Sequence, residues 1–356
     1  MWYQTALTDL LGISYPLIQA PMAGGPSTPE LVAAVSNSGG LGSLGAGYMT
    51  PAQMQTAIRA IRSLTDRPFA VNVFVLDAVT ATPAQIEASY RYLQPYREEL
   101  GLDTPSVAHH FAPVFDDLMA IILEERVPVV SFTFGVPAKK WVRQLKSAGV
   151  PLIGTATCVA EAVTLVQAGM DALVGQGAEA GAHRGGFAHL PEAEAVGTIA
   201  LIPQLVDRVA VPVIAAGGIM DGRGLAAALA LGAAGVQMGT AFLTCPESGA
   251  HPLHKAALRS SSDTSTTVTR AFSGKAARGI VNRFIQEVEP HYAELPPYPI
   301  QNSLSGGIRR AAAQQQRPEF MSLWAGQGSP LGRSQPAAEL VAAIVAEAED
   351  VLRQMK

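Results

Sequence analysis

Short, almost wholly apolar runs recur along this chain, and helical patterns separate nearly all of them. The runs fall at 17–20, 42–44, 69–74, 127–132, 151–156, 172–176, 211–215 and 236–238, the second being the weakest. Runs without apolar/polar alternation suit parallel strands buried on both faces by crossover helices. Thr28-Pro29, Thr50-Pro51 and Thr82-Pro83 each read as a helix start, with threonine as N-cap and proline in the first turn. Eight such units predict an α/β fold, a closed (β/α)8 TIM barrel. An open doubly wound sheet is the alternative.

Two stretches break the repeat. Between 83 and 118 there is about one helix too many for a crossover. From 246 to about 321 the composition turns polar, with Ser260-Ser261-Ser262 and Gln314-Gln315-Gln316. They either pair as a small α+β domain capping the barrel or stand as separate surface insertions. The expected division is a barrel from 1–80, 113–245 and 322–356, and a cap from 81–112 and 246–321. An amphipathic helix over 336–355, with Leu340, Ile344, Ala348 and Val351 on one stripe, is expected to return to the barrel wall.

Composition narrows the function classes. Of 356 residues, 48% are hydrophobic and only 15% charged, against about 25% charged in an average domain, which suits a large core. A net charge of −4 argues against a nucleic-acid partner. The most apolar stretch, 225–236, is broken by Gly232 and Gly235 and falls short of the ~20 residues of a membrane span. The first residues show no basic segment leading into an apolar run, so a cytoplasmic protein with Cys158 and Cys245 as reduced thiols is expected.

Candidate chemistry gathers where the predicted strands end, the face on which parallel barrels build active sites. Met22 follows the first strand and Asn72 lies in the third. Ser131 and Thr133 close the fourth, Thr155 and Thr157 the fifth. The sixth runs into Gln176-Gly177-Ala178-Glu179-Ala180-Gly181-Ala182-His183-Arg184-Gly185-Gly186. The seventh ends in Gly217-Gly218 and the eighth in Gln237-Met238-Gly239-Thr240. Glycines before a helix N-terminus let backbone N–H groups approach a phosphate, although they also make tight turns. Asn72 and Gln176 carry amides that can match a polar ring edge; Asn72 could equally be a buried amide bonded to backbone, and Met22 core filling. No histidine shows a metal-ligand spacing, so no metal is expected, and His109-His110 read as structural.

The whole chain resembles the FMN-dependent nitronate monooxygenases, also called 2-nitropropane dioxygenases. The resemblance is carried by Ala20-Pro21-Met22-Ala23-Gly24-Gly25, Val35-Ser36-Asn37-Ser38-Gly39-Gly40-Leu41-Gly42, the His183 loop, Ala215-Ala216-Gly217-Gly218-Ile219 and Gly239-Thr240-Ala241-Phe242-Leu243. Phe272-Ser273-Gly274-Lys275-Ala276-Ala277-Arg278-Gly279 and Trp324-Ala325-Gly326-Gln327-Gly328 add to it. The resemblance implies FMN and no metal. The FMN phosphate would lie on backbone at Gly181, Gly217, Gly218, Gly239 and Thr240. Met22, Asn72 and Gln176 would lie along the isoalloxazine, with Gln237 and Met238 completing the phosphate-side strand. His183 would be the catalytic group, Ser131 and Thr133 substrate contacts.

The implied reaction is oxidation of alkyl nitronates, such as propionate 3-nitronate, with O2 to carbonyl compounds and nitrite, by a monomer or homodimer. Two positions depart from the pattern. Thr133 stands where relatives often have a second histidine, so a cation is missing there, and Ala182 replaces a common glycine. An NAD(P)H-dependent flavin reductase of quinones or enoyl thioesters shares several of these segments and is the rival reading.

Overall fold

The computed structural model describes residues 1–103, 112–188, 190–191 and 194–355. The first half runs α1 (Ala6–Leu11), β1 (Leu17–Gln19), α2 (Pro29–Asn37), β2 (Gly42–Gly45), α3 (Pro51–Leu64), β3 (Phe69–Phe74), α4 (Pro83–Glu99), α5 (Phe115–Glu124), β4 (Val129–Thr133), α6 (Lys139–Ser147), β5 (Leu152–Ala156), α7 (Val159–Gln167) and β6 (Ala172–Gln176). The second half runs β7 (Ala182–His183), α8 (Thr198–Val206), β8 (Val213–Ala216), α9 (Gly222–Ala230), β9 (Gly235–Met238), α10 (Thr240–Leu243), α11 (Pro252–Arg259), β10 (Thr266–Thr269), β11 (Ala277–Ile280), α12 (Arg283–Val288), α13 (Ile300–Gln314) and α14 (Ala337–Gln354). Thr28, Thr50 and Thr82 cap α2, α3 and α4, each accepting a hydrogen bond from a first-turn N–H.

Eight parallel strands form one sheet in the order β1-β9-β8-β6-β5-β4-β3-β2. A bridge between Ile18 and Leu41 joins its two ends, with Gln19 N–H on the Leu41 carbonyl and Leu41 N–H on the Leu17 carbonyl, both at 2.9 Å. The sheet is therefore a closed barrel, not an open doubly wound sheet. Helix α14 packs against α9 and α2, on the outer wall.

The period of two along each strand sorts the side chains. One parity points out to the helices: Leu44, Val71, Val73, Val130, Phe132, Leu173, Val213, Val236 and Met238 share a cluster with Leu31, Ile58, Leu145 and Leu225. The other points inward: Ile18, Ala70, Val129, Ile153, Val174 and Ile214 form the barrel interior, which α1 plugs with Leu7 and Leu11. Farther along, the same inward parity carries Asn72, Ser131, Thr133, Thr155, Gln176 and Gln237, all on the wall of a cavity. The barrel is thus apolar at one end and polar at the end where its strands finish.

A second apolar cluster lies outside the barrel. Leu93, Tyr96 and Leu100, at the end of α4, pack with Phe272, Phe284, Ile285, Leu304, Ile308 and Phe320. Buried polar groups tie the same pieces: Ser89 Oγ donates to Gln301 Oε1 at 2.7 Å, and Arg97 donates to the Leu304 carbonyl at 2.7 Å. The excess helix of 83–118 therefore lies against the polar 246–321 stretch. That region also holds an antiparallel sheet, β10-β11-β7. Its third strand comes from the loop after β6, a pairing that periodicity did not signal because β7 is two residues long.

Candidate active site

At the strand ends a cavity of about 710 Å³ lies between barrel and cap. Two different walls enclose it.

The barrel wall is mostly backbone and short polar side chains. Gly217 and Gly218, after β8, hold φ +117° and +72°, values that L side chains rarely adopt. At Gly239 an added Cβ would meet nothing nearer than Ala20 at 3.5 Å. Protein packing does not force that glycine, which leaves an open backbone cradle. Among the described residues, Gly218, Gly239 and Thr240 donate no backbone hydrogen bond to the rest of the protein. Free N–H groups around an open cradle suit a phosphate. Gly181 has another role besides. Its Cβ would fall 2.5 Å from Gly326 N and 2.6 Å from the Ala325 carbonyl carbon, so this glycine lets the 324–328 segment close against the loop. Gly326 N–H donates to Thr240 Oγ1 at 3.0 Å and Gln327 N–H to the Glu179 carbonyl at 3.0 Å. Gly326 and Gly328 thereby join the wall; their Gly-x-Gly spacing was the available sequence signal.

Asn72 donates through Nδ2 to Ser131 Oγ at 2.9 Å and Thr133 Oγ1 at 3.1 Å, leaving Oδ1 as its unengaged end. These three residues form one cluster. Gln176 binds the loop after β6: Nε2 donates to the His183 carbonyl at 3.1 Å, and Oε1 accepts Gly185 N–H at 2.8 Å. Its amide is first a clamp on that loop, with one N–H and one lone pair left. Met22 lies on the wall, its N–H held by Ser27 Oγ at 2.8 Å. Gln237 faces the cavity, but Met238 does not. It carries the outward parity and is 1% exposed among the helix-facing side chains. Neighbours in a strand cannot both face inward, so of this pair only Gln237 presents its side chain to the cavity, and Met238 can meet it through backbone alone.

His183 is held from several sides. It pairs in register with Ala277 in β11. Glu161, 1% exposed, accepts the N–H groups of Phe187, Ala188 and Thr157 and the hydroxyl of Thr157, anchoring the far end of the loop. The His183 Nε2 lies 2.9 Å from Ser273 Oγ. Its ring sits among Tyr298 (centroids 5.4 Å apart), Trp324 (5.6 Å) and Phe134 (5.8 Å). Burial pushes its pKa down to about 3, and the charges of Lys275 and Arg309 push the same way. The imidazole is therefore neutral at pH 7.

The cap wall is built from side chains. Tyr48 and Phe134 stand just beyond β2 and β4, and Phe74 ends β3; Asn302, Arg309 and Arg310 come from α13, and Trp324 closes the side. Tyr298, just before α13, is buried behind this wall against Phe134 and His183. Among the described residues no aspartate or glutamate lines the cavity. No described cluster of histidine, cysteine and carboxylates could hold a metal ion, and no described helix is long and apolar enough to cross a membrane. His109 and His110 lie outside the described residues. Sequence reasoning missed Tyr298, Arg309 and Arg310 because they come from a region that read only as a polar insertion.

Comparison with known proteins agrees with the sequence segments. Residues 4–347 match the family model described as nitronate monooxygenase. A probable nitronate monooxygenase of Staphylococcus aureus is 49% identical over 357 residues, covering 99% of both chains. Among solved structures, the nitroalkane oxidase from Streptomyces ansochromogenes matches with TM-score 0.93 and 40% identity, over 99% of this chain and 100% of that one. FabK from Thermotoga maritima matches with TM-score 0.79 and 34% identity, over 99% and 98%. With a barrel rim, a loop histidine and matches that run the length of both chains, the protein belongs to the nitronate monooxygenase family of oxidoreductases.

Proposed function

We propose that this enzyme holds FMN in the barrel-side cradle and oxidises alkyl nitronates, such as propionate 3-nitronate, with O2 to a carbonyl compound and nitrite. The observation that carries this reading is the neutral imidazole of His183 on the cavity wall, fixed beside a cradle of free backbone N–H groups. Gly181, Gly217, Gly218, Gly239 and Thr240 would hold the FMN phosphate. Asn72 Oδ1 and the remaining hydrogen-bonding capacity of Gln176 fit the polar edge of an isoalloxazine, with Met22 and Gln237 beside it. Bound FMN supplies the electron-accepting and oxygen-reactive chemistry.

The chain's own residues position the substrate and take up a proton. Ser273 Oγ donates to the Lys275 carbonyl at 3.1 Å. With its one hydrogen spent there, it accepts from His183 Nε2–H at 2.9 Å. That tautomer leaves Nδ1 as the lone-pair nitrogen, able to take the α-proton of a neutral nitroalkane. Tyr298, Trp324 and Phe134 keep water from the ring. Ser131 and Thr133, bonded to Asn72 on the cavity wall, would contact the substrate.

The test is direct. Purified protein should be yellow, and on ethylnitronate or propionate 3-nitronate it should consume O2 and release nitrite without NAD(P)H. A flavin-loaded preparation that yields no nitrite over a panel of nitronates overturns the reading. The likeness to FabK supports the rival reductase; rapid anaerobic bleaching of the flavin by NADH or NADPH would establish it.

A further inference from the structure

We propose that Arg309, with Tyr48 and Tyr298 beside it, forms an oxyanion subsite in the cap wall. It takes a planar oxyanion of the substrate and supplies the positive charge that His183 does not carry. This rests on the reading of the cavity as a site for nitro compounds.

Arg309 lies on α13 and lines the cavity. Its Nη2 donates to the Asn302 carbonyl at 2.6 Å and Asn302 Oδ1 at 2.9 Å. Its Nε is shut off from solvent and has no acceptor. The charges acting on it are Tyr48, Arg310 and Tyr298, with no carboxylate among them. A buried cation without a counter-ion is costly, and structural arginines in such places are normally paired. The residue itself lines a cavity on which no described carboxylate stands.

The phenols complete the site. Tyr48 stands on the same cavity wall, Tyr298 lies buried behind it, and both phenols are close enough to act electrostatically on the guanidinium. A planar guanidinium fork matches a nitronate or a carboxylate, both flat and two-oxygen. This subsite is distinct from the phosphate cradle. Gly218 and Gly239 follow β8 and β9, whereas Tyr48 follows β2, its ring neighbour Phe74 ends β3 and Phe134, against Phe74, follows β4, on the opposite half of the ring. Arg309 also answers the departure at Thr133, where a cation is missing from the barrel side. The positive charge enters from the cap.

The two possible oxyanions are the nitronate head itself and a carboxylate elsewhere on the substrate. Steady-state kinetics of the flavin-loaded enzyme and of Arg309→Met would separate them, using nitroethane (uncharged), ethylnitronate (charged head) and 3-nitropropionate in its nitro form (charged tail). The expected result is a KM raised on the order of 10–100-fold for one of the anions, the range of a lost charge-assisted hydrogen bond, with nitroethane unchanged within about twofold. Loss on ethylnitronate assigns the head; loss confined to 3-nitropropionate assigns the tail. Nitrate, an unreactive planar oxyanion, should raise the melting temperature of the wild-type protein and not of the variant.

Equal KM values for all three substrates and an equal nitrate shift, in a variant that keeps its flavin, overturn the proposal. If Arg309→Met does not fold, the wild-type enzyme decides: nitrate must compete with the anionic substrate, and failure to compete overturns the proposal. If the wild-type protein turns over none of the three, yet nitrate binds and Arg309→Met abolishes that binding, the subsite stands and the proposed reaction falls.

Discussion

The two walls of the cavity obey different physics. The barrel wall presents backbone: glycines at positive φ, free N–H groups at loop ends, and short polar side chains locked to one another. The facing wall presents large side chains: the rings of Phe134, Tyr298 and Trp324, brought around His183 from three separate segments, and a guanidinium on α13 without a counter-ion. A backbone cradle recognises what many ligands share, such as a phosphate. A wall of side chains recognises what distinguishes them. Exchanging the cap would therefore alter substrate choice while leaving cofactor binding in place.

The sharpest way to break that division is at Gly181, where the walls touch. Gly181→Val would drive Cβ into the backbone of Ala325 and Gly326. Overpacking against backbone should cost about 3 kcal/mol or more and abolish both flavin retention and turnover. The flavin-to-protein ratio after purification checks it; a fully loaded, stable variant would mean that the walls are not coupled there.

Phe284→Ala addresses the cap alone. Phe284 is fully buried and stacks on Phe272 at 4.5 Å, so truncation should cost about 3–5 kcal/mol. Turnover should fall while the barrel keeps its flavin. Equal loss of both would show that the cradle depends on the cap.

A smaller effect follows from protonation. The native pKa of His183 is about 3, against about 6.5 in the unfolded chain. Between those values only the unfolded state binds the proton, so stability is lost as pH falls through that window. From pH 7 to 5 this amounts to about 2 kcal/mol. Urea denaturation of the flavin-free protein at both pH values should show a shallower dependence in His183→Asn. An identical slope would place the histidine in a solvated setting. His254, lowered to about 4 by burial and bonded to the Trp324 carbonyl, contributes a similar slope and serves as the internal control.

The mildest change is Ser273→Ala. It removes the partner of His183 Nε2 and should slow turnover of neutral nitroalkanes about 5–10-fold, the size of one neutral hydrogen bond. Flavin content should stay constant. Unchanged turnover would mean that the β7–β11 pairing alone orients the ring.

Much of the barrel side was legible in the chain. The apolar runs gave the strands because a strand covered on both faces must be apolar throughout, and Thr-Pro pairs marked helix starts. Gly217-Gly218 stood out because unusual backbone conformation needs an unusual residue, and Gly239-Thr240 because a glycine before a helix leaves its backbone open. The parity of β9 was written there too: it turns Gln237 inward and the Met238 side chain toward the helices. The cap side was far less legible. Ser273, Tyr298 and Arg309 lie 90 to 126 residues beyond His183, and nothing local says that a serine will meet an imidazole.

The amino-acid order determined what each short segment could become: strand, helix, tight turn, and which face of each would be apolar. Those are choices made within a few residues, by sterics and by the separation of oil from water. Only the tertiary structure decided which surfaces meet across the mouth of the barrel. It recruited two residues of the His183 loop into a distant hairpin, emptied the surroundings of Arg309 of carboxylates, and held an imidazole uncharged. Neutrality of a ring and isolation of a cation are properties of an enclosed space, and that space exists only once the chain has closed around it.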